Sequence, residues 1–294
     1  MLDFRMDTLL MACKYLNFTK AAEKLGITQP GVSQHIRYLE ENYNIKIFKY
    51  EGKKMSLTKE GKVLLHAVKT IKHDDDFLRG QLNEMKNGKR KLVFGTTLTI
   101  GEFVIPERLA SYLKEHPDTA IQMVVSNTYH LLKGIDNGEI DFAIIEGYFA
   151  KRDYDYLTYS REKYIPICGY EYKLSGNGES IEDLLAERLI TREPGSGTRE
   201  ILERLLEEKN LVVEDFENVV EVSNMKAIKS LVALNCGITF LYEVAAREEI
   251  KACRLKEIKL NEYGVTHDFN FVWRKGSIFA EEYEALFKEL KLKG

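Results

Sequence analysis

Residues 17–39, NFTKAAEKLGITQPGVSQHIRYL, have the apolar spacing of two short helices joined by a tight turn. The first apolar face comprises Phe18, Ala21, Ala22 and Leu25. After a break at Gly26, a second face comprises Val32, Ile36 and Leu39. The spacing predicts a helix-turn-helix, although the same pattern also fits helix pairs in all-α proteins that never contact nucleic acid.

The second predicted helix has a marked start and a polar outer surface. Thr28 occupies the N-cap position and Pro30 lies in the first turn, where its missing N–H costs no hydrogen bond. With the apolar residues turned inward, the outer surface carries Gln29, Ser33, Gln34 and Arg37. Their amide, hydroxyl and guanidinium groups suit DNA, so we expect the first three to read bases and Arg37 to contact a phosphate.

Two longer segments resemble a known family. AAEKLGITQPGVSQHIRYLE and IKIFKYEGKKMSLTKEGK are similar to the N-terminal winged helix-turn-helix of LysR-type transcriptional regulators. The resemblance implies DNA contact through Gln29, Pro30, Ser33 and Gln34. One departure is visible, because the family's wing strand commonly ends in Phe-x-Arg, whereas Phe48 is followed here by Lys49 and Tyr50. A lysine keeps the charge for a phosphate contact but loses the bidentate geometry of arginine.

The predicted wing carries two adjacent lysines. We expect short strands over residues 45–48 and 55–58, with the wing near residues 51–54 over the DNA backbone. Lys53 and Lys54 either lie free in solvent or contact phosphate. Their place beside a recognition helix favours phosphate contact, and each contact would steepen the salt dependence of binding by about one counterion.

Charge is unevenly distributed along the chain. Residues 1–91 contain 18 Lys and Arg against 11 Asp and Glu, a balance of +7, whereas residues 92–294 contain 25 against 35, a balance of -10. The N-terminal part therefore attracts polyanions and the remainder repels them. No apolar run has the length of a membrane span, and the N-terminus does not have the pattern of a signal peptide. We expect a cytoplasmic protein without membrane contact.

The cysteines and histidines form no recognisable metal or catalytic spacing. The cysteines are Cys13, Cys168, Cys236 and Cys253. We expect them to be buried, reduced thiols, with redox sensing by one of them as the alternative. His66 and His73 share a face of one predicted helix and are expected at the surface rather than as metal ligands. The sequence predicts no cofactor, metal or catalytic residue.

Residues 58–86 read as one long helix with apolar residues near heptad spacing. These residues are Leu64, Ala67, Val68, Ile71, Leu78, Leu82 and Met85. A helix of this length needs a partner, so we expect a homodimer or a homotetramer, and the family resemblance implies the same linker role. Asp74, Asp75 and Asp76 interrupt the stripe and form either a solvated bend or a device that sets the register of the partner helix.

Strands and helices alternate beyond a polar linker at residues 87–91. Strands are expected at 92–95, 121–125, 142–145, 188–190, 219–222, 237–240 and 268–273, and helices at 101–114, 129–137, 198–208, 225–234 and 279–290. This order predicts two α/β halves with parallel strands, between which the chain crosses near residues 160–165 and 264–267. The LysR resemblance extends over TTLTIGEFVIPERLASYLKEHPDTAIQMVV and NGEIDFAIIEG and implies a periplasmic-binding-protein-like effector domain.

We therefore predict an α+β multidomain protein with a winged helix-turn-helix, a long linker helix and an α/β bilobal, periplasmic-binding-protein-like (type II) effector domain. The expected bounds are 1–58 for the DNA-binding domain, 59–90 for the linker helix and hinge, and 91–294 for the effector domain, with lobe I at 91–162 and 266–294 and lobe II at 163–265.

Three loops that follow predicted strands are rich in hydroxyl and amide groups, at residues 96–101, 126–128 and 193–198. Ligands of open α/β sheets bind beyond the carboxyl ends of the strands, where helix N-termini attract anions. Each loop taken singly also fits an ordinary N-cap. The candidate contacts for a small carboxylate or oxoanion are Thr97, Thr99, Ser126, Asn127, Thr128, Gly195, Ser196 and Thr198. Arg199 either adds charge or pairs with Glu203.

The function predicted is a regulator that binds double-stranded promoter DNA and responds to a small anionic effector, with RNA polymerase as a further partner to consider. The alternative is an enzyme or a solute-binding protein on the same bilobal scaffold, with the N-terminal domain as an oligomerisation module. An enzyme needs a compact acid–base pair in the cleft. The carboxylates near the expected cleft, Glu102, Glu146 and Glu193, stand on different loops, so we expect no enzyme.

Overall fold

Three helices form the core of the N-terminal domain. The computed structural model describes residues 3–52, 54–87, 90–261 and 264–291. The helices are α1 (Phe4–Tyr15), α2 (Phe18–Leu25) and α3 (Gln29–Tyr43). Their buried side chains include Leu9, Ala12, Ala21, Val32, Ile36 and Leu39. Gly26 ends α2 with a φ of 67°, a backbone conformation that glycine adopts without strain. The predicted helix pair and its turn are confirmed.

The wing is a two-stranded antiparallel sheet of β1 (Phe48–Glu51) and β2 (Lys54–Leu57). The first strand begins three residues later than predicted. The backbone N–H of Ile47 donates to Glu40 Oε1 of α3 at 2.8 Å, so at this residue only the carbonyl, which accepts from the N–H of Thr58 at 3.0 Å, bonds across to the second segment. Lys53, one of the two predicted wing lysines, lies outside the described residues.

The linker helix α4 (Lys59–Asn87) continues without a break through the three aspartates. Asp74 is buried and accepts hydrogen bonds from Ser277 Oγ at 2.6 Å and from the backbone N–H of Ile278 at 3.1 Å. Asp75 pairs with Arg79 one turn along the helix. Asp74 therefore fastens the linker helix to the C-terminal part of the same chain.

The apolar residues of α4 divide between two surfaces. Leu64 and Val68 are buried in the core of the N-terminal domain, so they do not belong to a stripe that faces another chain. The exposed apolar side chains of α4 are Val63, Ile71, Leu78, Leu82 and Met85. These five residues share one side of the helix, and each is at least 40% exposed.

The C-terminal region is built on one continuous sheet with strand order β4-β3-β5-β11-β6-β9-β7-β8, and β10 pairs with β6. The strands are β3 (Arg90–Thr96), β4 (Thr119–Val125), β5 (Phe142–Ile145), β6 (Tyr154–Gly169), β7 (Arg188–Thr191), β8 (Asn218–Glu221), β9 (Ile238–Tyr242), β10 (Leu255–Glu257) and β11 (Thr266–Arg274). Strands β3, β4 and β5 are parallel and form lobe I with β11, and β7, β8 and β9 are parallel and form lobe II.

Strand β6 joins the two lobes and was not predicted. Its first part pairs antiparallel with β11 up to Lys163, and its last part pairs with β9 from Tyr164 onward. The backbone N–H of Tyr164 donates to Val265 O at 3.0 Å where the chain passes between the lobes. The strand escapes detection because charged residues interrupt its alternation at Arg161 and Glu162.

Helices cover both faces of the sheet. They are α5 (Leu98–Phe103), α6 (Pro106–Glu115), α7 (Thr128–Asp136), α8 (Gly197–Glu207), α9 (Met225–Ala233), α10 (Glu243–Lys251) and α11 (Ala280–Leu290). The helix predicted over residues 101–114 is two helices, because Pro106 lacks a backbone N–H and starts a new helix at its first position. No helix in the described ranges is long and apolar enough to cross a membrane.

The cysteines do not all lie in the interior. Cys168 is buried, Cys13 and Cys236 are half-buried, and Cys253 is exposed, so the prediction of four buried thiols is wrong for the last of them. Burial raises the pKa of Cys13 to about 12 and that of Cys168 to about 11. These two thiols therefore carry little thiolate at neutral pH and are poor nucleophiles.

Candidate functional site

The outer surface of α3 carries the residues predicted to contact DNA. Thr28 caps the helix, because its side chain accepts from the backbone N–H of Gly31 at 3.2 Å. Thr28, Gln29, Pro30, Gln34 and Arg37 are exposed and Ser33 is half-buried. The Gln29 amide donates to Ser33 Oγ at 2.8 Å, which holds these two side chains together at the start of the helix. The surface presents donors and acceptors where a major groove would meet it.

A polar contact fixes α3 against α1. The buried hydroxyl of Thr8 lies 3.0 Å from His35 Nδ1, and the ring of Phe4 packs edge-on against the same imidazole. The guanidinium of Arg5 stacks on Tyr38 with its carbon 3.9 Å from the ring centre. These contacts orient the helix whose outer face bears the predicted base readers.

The described part of the wing offers positive charge beside α3. Lys54 is exposed and extends from the start of β2. Lys49, which stands near the place of the family's arginine, forms an exposed ion pair with Glu51 at 2.7 Å. The ammonium of Lys49 has further N–H donors for a phosphate, and an exposed pair of this kind contributes little to stability.

A cleft of about 270 Å³ lies between the two lobes at the carboxyl ends of β3, β4 and β7. Its walls contain Thr97, Leu98, Val125, Ser126, Asn127, Glu146, Arg192, Glu193, Ser196, Gly197 and Ser223. Four of the predicted residues, Thr97, Ser126, Asn127 and Ser196, line it directly. Asn127 also caps α7 by accepting from the backbone N–H of His130 at 3.0 Å. The cleft wall combines hydroxyl, amide and charged side chains with the apolar side chains of Leu98 and Val125.

Glu146 lies in the cleft wall directly after β5 and is only 1% exposed. Its Oε1 accepts from Thr198 Oγ1 at 3.0 Å and from Thr99 Oγ1 at 3.2 Å. Its Oε2 is buried and has no hydrogen-bond partner among the residues that the structure describes. Burial raises the pKa of Glu146 to about 7, since the two hydroxyl donors and the charge of Arg192 only partly offset the loss of solvent.

Three of the predicted effector contacts support Glu146 and do not line the cleft. The hydroxyls of Thr99 and Thr198 point to its carboxylate, and Thr128 Oγ1 donates to its backbone carbonyl at 2.7 Å. Gly195 stands beside the cleft with a φ of 84°, which favours glycine at this turn. These four positions are not among the residues that line the cleft, and direct ligand contact from them stays a prediction.

Arg192 supplies the positive charge of the cleft and was missed in the sequence. Its guanidinium forms a bidentate pair with Glu193, with Nε and Nη2 at 2.8 and 2.9 Å from the carboxylate oxygens. The residue is 6% exposed, and its buried Nη1 has no hydrogen-bond partner within the described chain. An arginine directly after the buried end of strand β7 was the signal that could have indicated it.

Arg199 has a structural role. Its guanidinium donates to Glu203 at 2.7 Å, to Glu221 at 3.0 Å and to the backbone carbonyl of Arg192 at 3.1 Å. Of the two roles left open by the sequence, pairing with Glu203 is the one that the structure contains. The contact with the carbonyl also holds the backbone at Arg192 in place.

His73 does not lie at the surface, contrary to the prediction, whereas the side chain of His66 is 39% exposed. His73 is 2% exposed, and its Nε2 lies 3.0 Å from the carbonyl of Asp141. His66 is half-buried, and its Nδ1 lies 2.8 Å from a guanidinium nitrogen of Arg274. Within the described residues, no group of three or more His, Cys, Asp or Glu side chains could hold a metal ion.

Two family models match the chain and together span most of it. "Bacterial regulatory helix-turn-helix protein, lysR family" matches residues 5–62, and "LysR substrate binding domain" matches residues 86–292. The matched ranges contain the helix-turn-helix with its wing and the two lobes with their cleft.

Curated relatives cover nearly the same length. The transcriptional activator CmpR of Synechocystis sp. is 30% identical over 227 residues, which are 76% of this chain and 73% of CmpR. The transcriptional regulator CysL of Bacillus subtilis is 25% identical over 269 residues, which are 91% of this chain and 89% of CysL. Both names describe regulators of transcription and not enzymes.

Solved structures share the fold at lower identity. Full-length LysG from Corynebacterium glutamicum with bound effector Arg aligns with a TM-score of 0.64 and 15% identity, covering 99% of this chain and 98% of that one. The regulatory domain of CcmR from Synechocystis in complex with 2-PG aligns with a TM-score of 0.60 and 22% identity, covering 69% of this chain and 98% of that domain. The predicted α+β architecture is confirmed. The chain belongs to the LysR family of transcriptional regulators, with a helix-turn-helix DNA-binding domain and an effector-binding domain.

Proposed function

We propose that the cleft between the lobes binds a small carboxylate or oxoanion and that this binding controls how the chain engages promoter DNA. The observation that carries the proposal is Arg192, a buried guanidinium in the cleft wall with one nitrogen lacking a partner in the described chain. A buried donor without a partner costs roughly 1 to 3 kcal/mol, and a bound anion would remove that cost.

Hydroxyl groups around Arg192 add to the same environment. Thr97 and Ser196 stand at the N-cap positions of α5 and α8, yet neither hydroxyl caps its helix within the described residues. Thr97 Oγ1 is buried and lacks a partner there as well. Gly197, the first residue of α8, lines the cleft, and the dipole at a helix N-terminus favours an anion.

Calorimetry against a panel of small carboxylates, phosphate esters and inorganic oxyanions tests the proposal. We expect wild type to bind at least one class and Arg192→Gln to bind it at least about tenfold more weakly. Thr97→Ala should weaken binding by a smaller factor, since it removes a neutral hydrogen bond. Arg188→Gln, on the exposed start of the same strand, is the matched control. Equal affinities for wild type, Arg192→Gln and Thr97→Ala would remove these residues from the site.

The DNA contacts proposed are those on the outer surface of α3, with Lys53 and Lys54 of the wing on the phosphates. Gln29, Ser33 and Gln34 stand at the N-terminal part of the helix, which is the part that enters the major groove in this motif. Footprinting of the region upstream of the gene and its neighbours at low salt tests this. Absence of protection at every such site would contradict the proposal.

The assembly proposed is a homodimer through the linker helix. The five apolar side chains that α4 leaves exposed share one side of the helix, and a groove of about 760 Å³ runs beside the same helix past Phe77 and Met85. Covering this surface with a second copy would bury it, because an isolated apolar stripe is unfavourable in water. A tetramer formed from two dimers and a contact with RNA polymerase are both compatible with this homodimer. The same footprinting experiment would address them.

A further inference from the structure

One oxygen of Glu146 is left for a ligand. The carboxylate stands in the cleft wall, and both hydroxyl donors near it, from Thr99 in lobe I and Thr198 in lobe II, go to Oε1. Oε2 is buried and has no partner among the described side chains. The two threonines hold the carboxylate in one orientation from both sides of the cleft, so Oε2 cannot turn to reach them without breaking both bonds.

An ionised carboxylate has acceptors only. Arg192, the cationic group in the same wall, is paired with Glu193 through Nε and Nη2, which leaves Nη1 for an acceptor oxygen of the anion, and it makes no hydrogen bond to Oε2 of Glu146 within the described chain. An oxyanion with acceptors alone would place oxygen lone pairs against Oε2 and leave both groups without a hydrogen bond, which weakens its binding. An oxyanion with an O–H group would donate to Oε2 and satisfy it.

We infer that Glu146 makes the cleft selective for oxyanions that carry a hydrogen-bond donor over oxyanions that carry acceptors alone. This inference rests on the proposed anion site. The class selected comprises hydrogen phosphate, partly protonated phosphate groups and hydroxycarboxylates. The class rejected comprises sulfate and simple carboxylates. Arg192 and the hydroxyls of Thr97 and Ser196 bind the acceptor oxygens of the anion, and Oε2 of Glu146 accepts a hydrogen bond from its O–H group.

The selectivity depends on the charge of Glu146. Burial raises the pKa of this carboxyl to about 7, so it is mostly ionised at pH 8 and mostly neutral at pH 6. The neutral acid can itself donate, so discrimination is expected at pH 8 and should diminish at pH 6. The charge of Arg192 acts on Glu146, Tyr242 is electrostatically coupled to it, and Glu193 lines the same cleft. Burial raises the pKa of Tyr242 well above its ordinary value, so Tyr242 stays neutral over this range.

Two matched pairs of anions test the inference by calorimetry with the full-length protein. Hydrogen phosphate and sulfate have the same shape and, at pH 8, nearly the same charge, and only the first carries a hydrogen. Glycolate and acetate differ by one hydroxyl. At pH 8 we expect wild type to prefer the donor-bearing member of at least one pair by about tenfold or more. Glu146→Gln, whose amide donates at the position of Oε2, should bind both members of that pair within about threefold.

The outcomes separate this inference from the proposed function. Equal affinity of wild type for both members of each pair overturns the selectivity and leaves the anion site standing. A preference that persists unchanged in Glu146→Gln also overturns the inference, since another residue would then accept the hydrogen bond from the anion. If wild type bound none of the four anions with a Kd of 0.1 M or below, the anion site itself would be overturned. A Kd of 0.1 M is roughly 1.4 kcal/mol weaker than a Kd of 10 mM. Thermal melting of Glu146→Gln confirms that the variant folds.

Discussion

Asp74 Oδ1 of the linker helix accepts a hydrogen bond from Ser277 Oγ at 2.6 Å, which joins the helix to lobe I of its own chain. Nearby, Arg274 is 2% exposed and donates to Asp136 at 2.7 Å and to Thr70 of the linker helix at 3.1 Å. The linker helix is thus held by buried polar contacts and not by apolar packing alone. Movement of lobe I would carry the helix with it, which is the connection that an effector-responsive regulator requires.

Removal of the Asp74 carboxylate should loosen this junction. Asp74→Ala leaves the hydroxyl of Ser277 and the backbone N–H of Ile278 without their acceptor, at a cost of about 1 to 3 kcal/mol. Hydrogen exchange of the backbone around Ile278 should become about tenfold faster or more. Asp75→Ala removes only a solvent-exposed pair with Arg79 and serves as the control. Equal exchange in the two variants would show that the Asp74 contacts do not hold the junction.

DNA recognition should depend on the start of α3. Ser33→Ala with Gln34→Ala removes two polar groups from the surface that we propose enters the major groove, so site-specific binding should fall by about two orders of magnitude or more. Effector affinity should stay unchanged, because both residues lie in the N-terminal domain. Asn42→Ala, at the exposed far end of the same helix, is the matched control. A parallel loss of effector affinity in the double variant would refute the separation of the two roles.

The linker helix should carry the dimer contact. Leu78→Glu with Leu82→Glu places two charges in the exposed apolar stripe, where burial against a second copy would leave them unpaired. Sedimentation analysis should show a weakening of self-association by at least about 100-fold. Lys62→Glu changes charge on the opposite side of the same helix and should not alter the association. Unchanged association in the double leucine variant would place the dimer contact elsewhere.

Stability should depend on pH through Glu146. Burial raises the pKa of this carboxyl from its ordinary value of 4.5 to about 7, so the folded chain retains the proton over a range where the unfolded chain has lost it. The contribution of the Glu146 proton to the free energy of unfolding is therefore fully present below pH 4.5 and is lost as the pH rises through about 7.

Comparison with an uncharged variant isolates this effect. Glu146→Gln has no proton to lose, so its stability relative to wild type should rise by about 2 to 3 kcal/mol between pH 5 and pH 8. Urea unfolding of both proteins at the two pH values measures the difference, and the contributions of all other groups cancel. A constant difference between the proteins across this range would show that Glu146 does not titrate there.

Local signals predicted the N-terminal domain well. The helix-turn-helix depends on apolar spacing, on the cap at Thr28 and on the glycine turn at Gly26, and all three are properties of short segments. The parallel strands of both lobes are short and rich in apolar residues, and β5, β7 and β9 are largely buried, so these strands were also recognisable. Strand β6 was missed because it is partly exposed and carries charges, and its extended form is imposed by β9 and β11, which lie far away in sequence.

The cleft was predicted less completely. Its position at the carboxyl ends of the strands follows from topology, and four of the proposed hydroxyl and amide residues line it. The sequence could not show that Glu146 would bind the hydroxyls of Thr99 and Thr198, because the three residues meet only when the two lobes pack. Arg192 was missed for the same reason, since its burial depends on the position of Glu193 and of helix α8.

The central claim is that an anion held by Arg192 in the cleft changes how the chain engages DNA. Footprinting of promoter DNA with wild type and Arg192→Gln, each with and without the anion that calorimetry selects, tests it most directly. We predict that the anion changes the extent or the affinity of protection by wild type, whereas Arg192→Gln gives the same footprint in both conditions. An identical response of the two proteins to the anion, or a footprint of wild type that never responds, would contradict the claim.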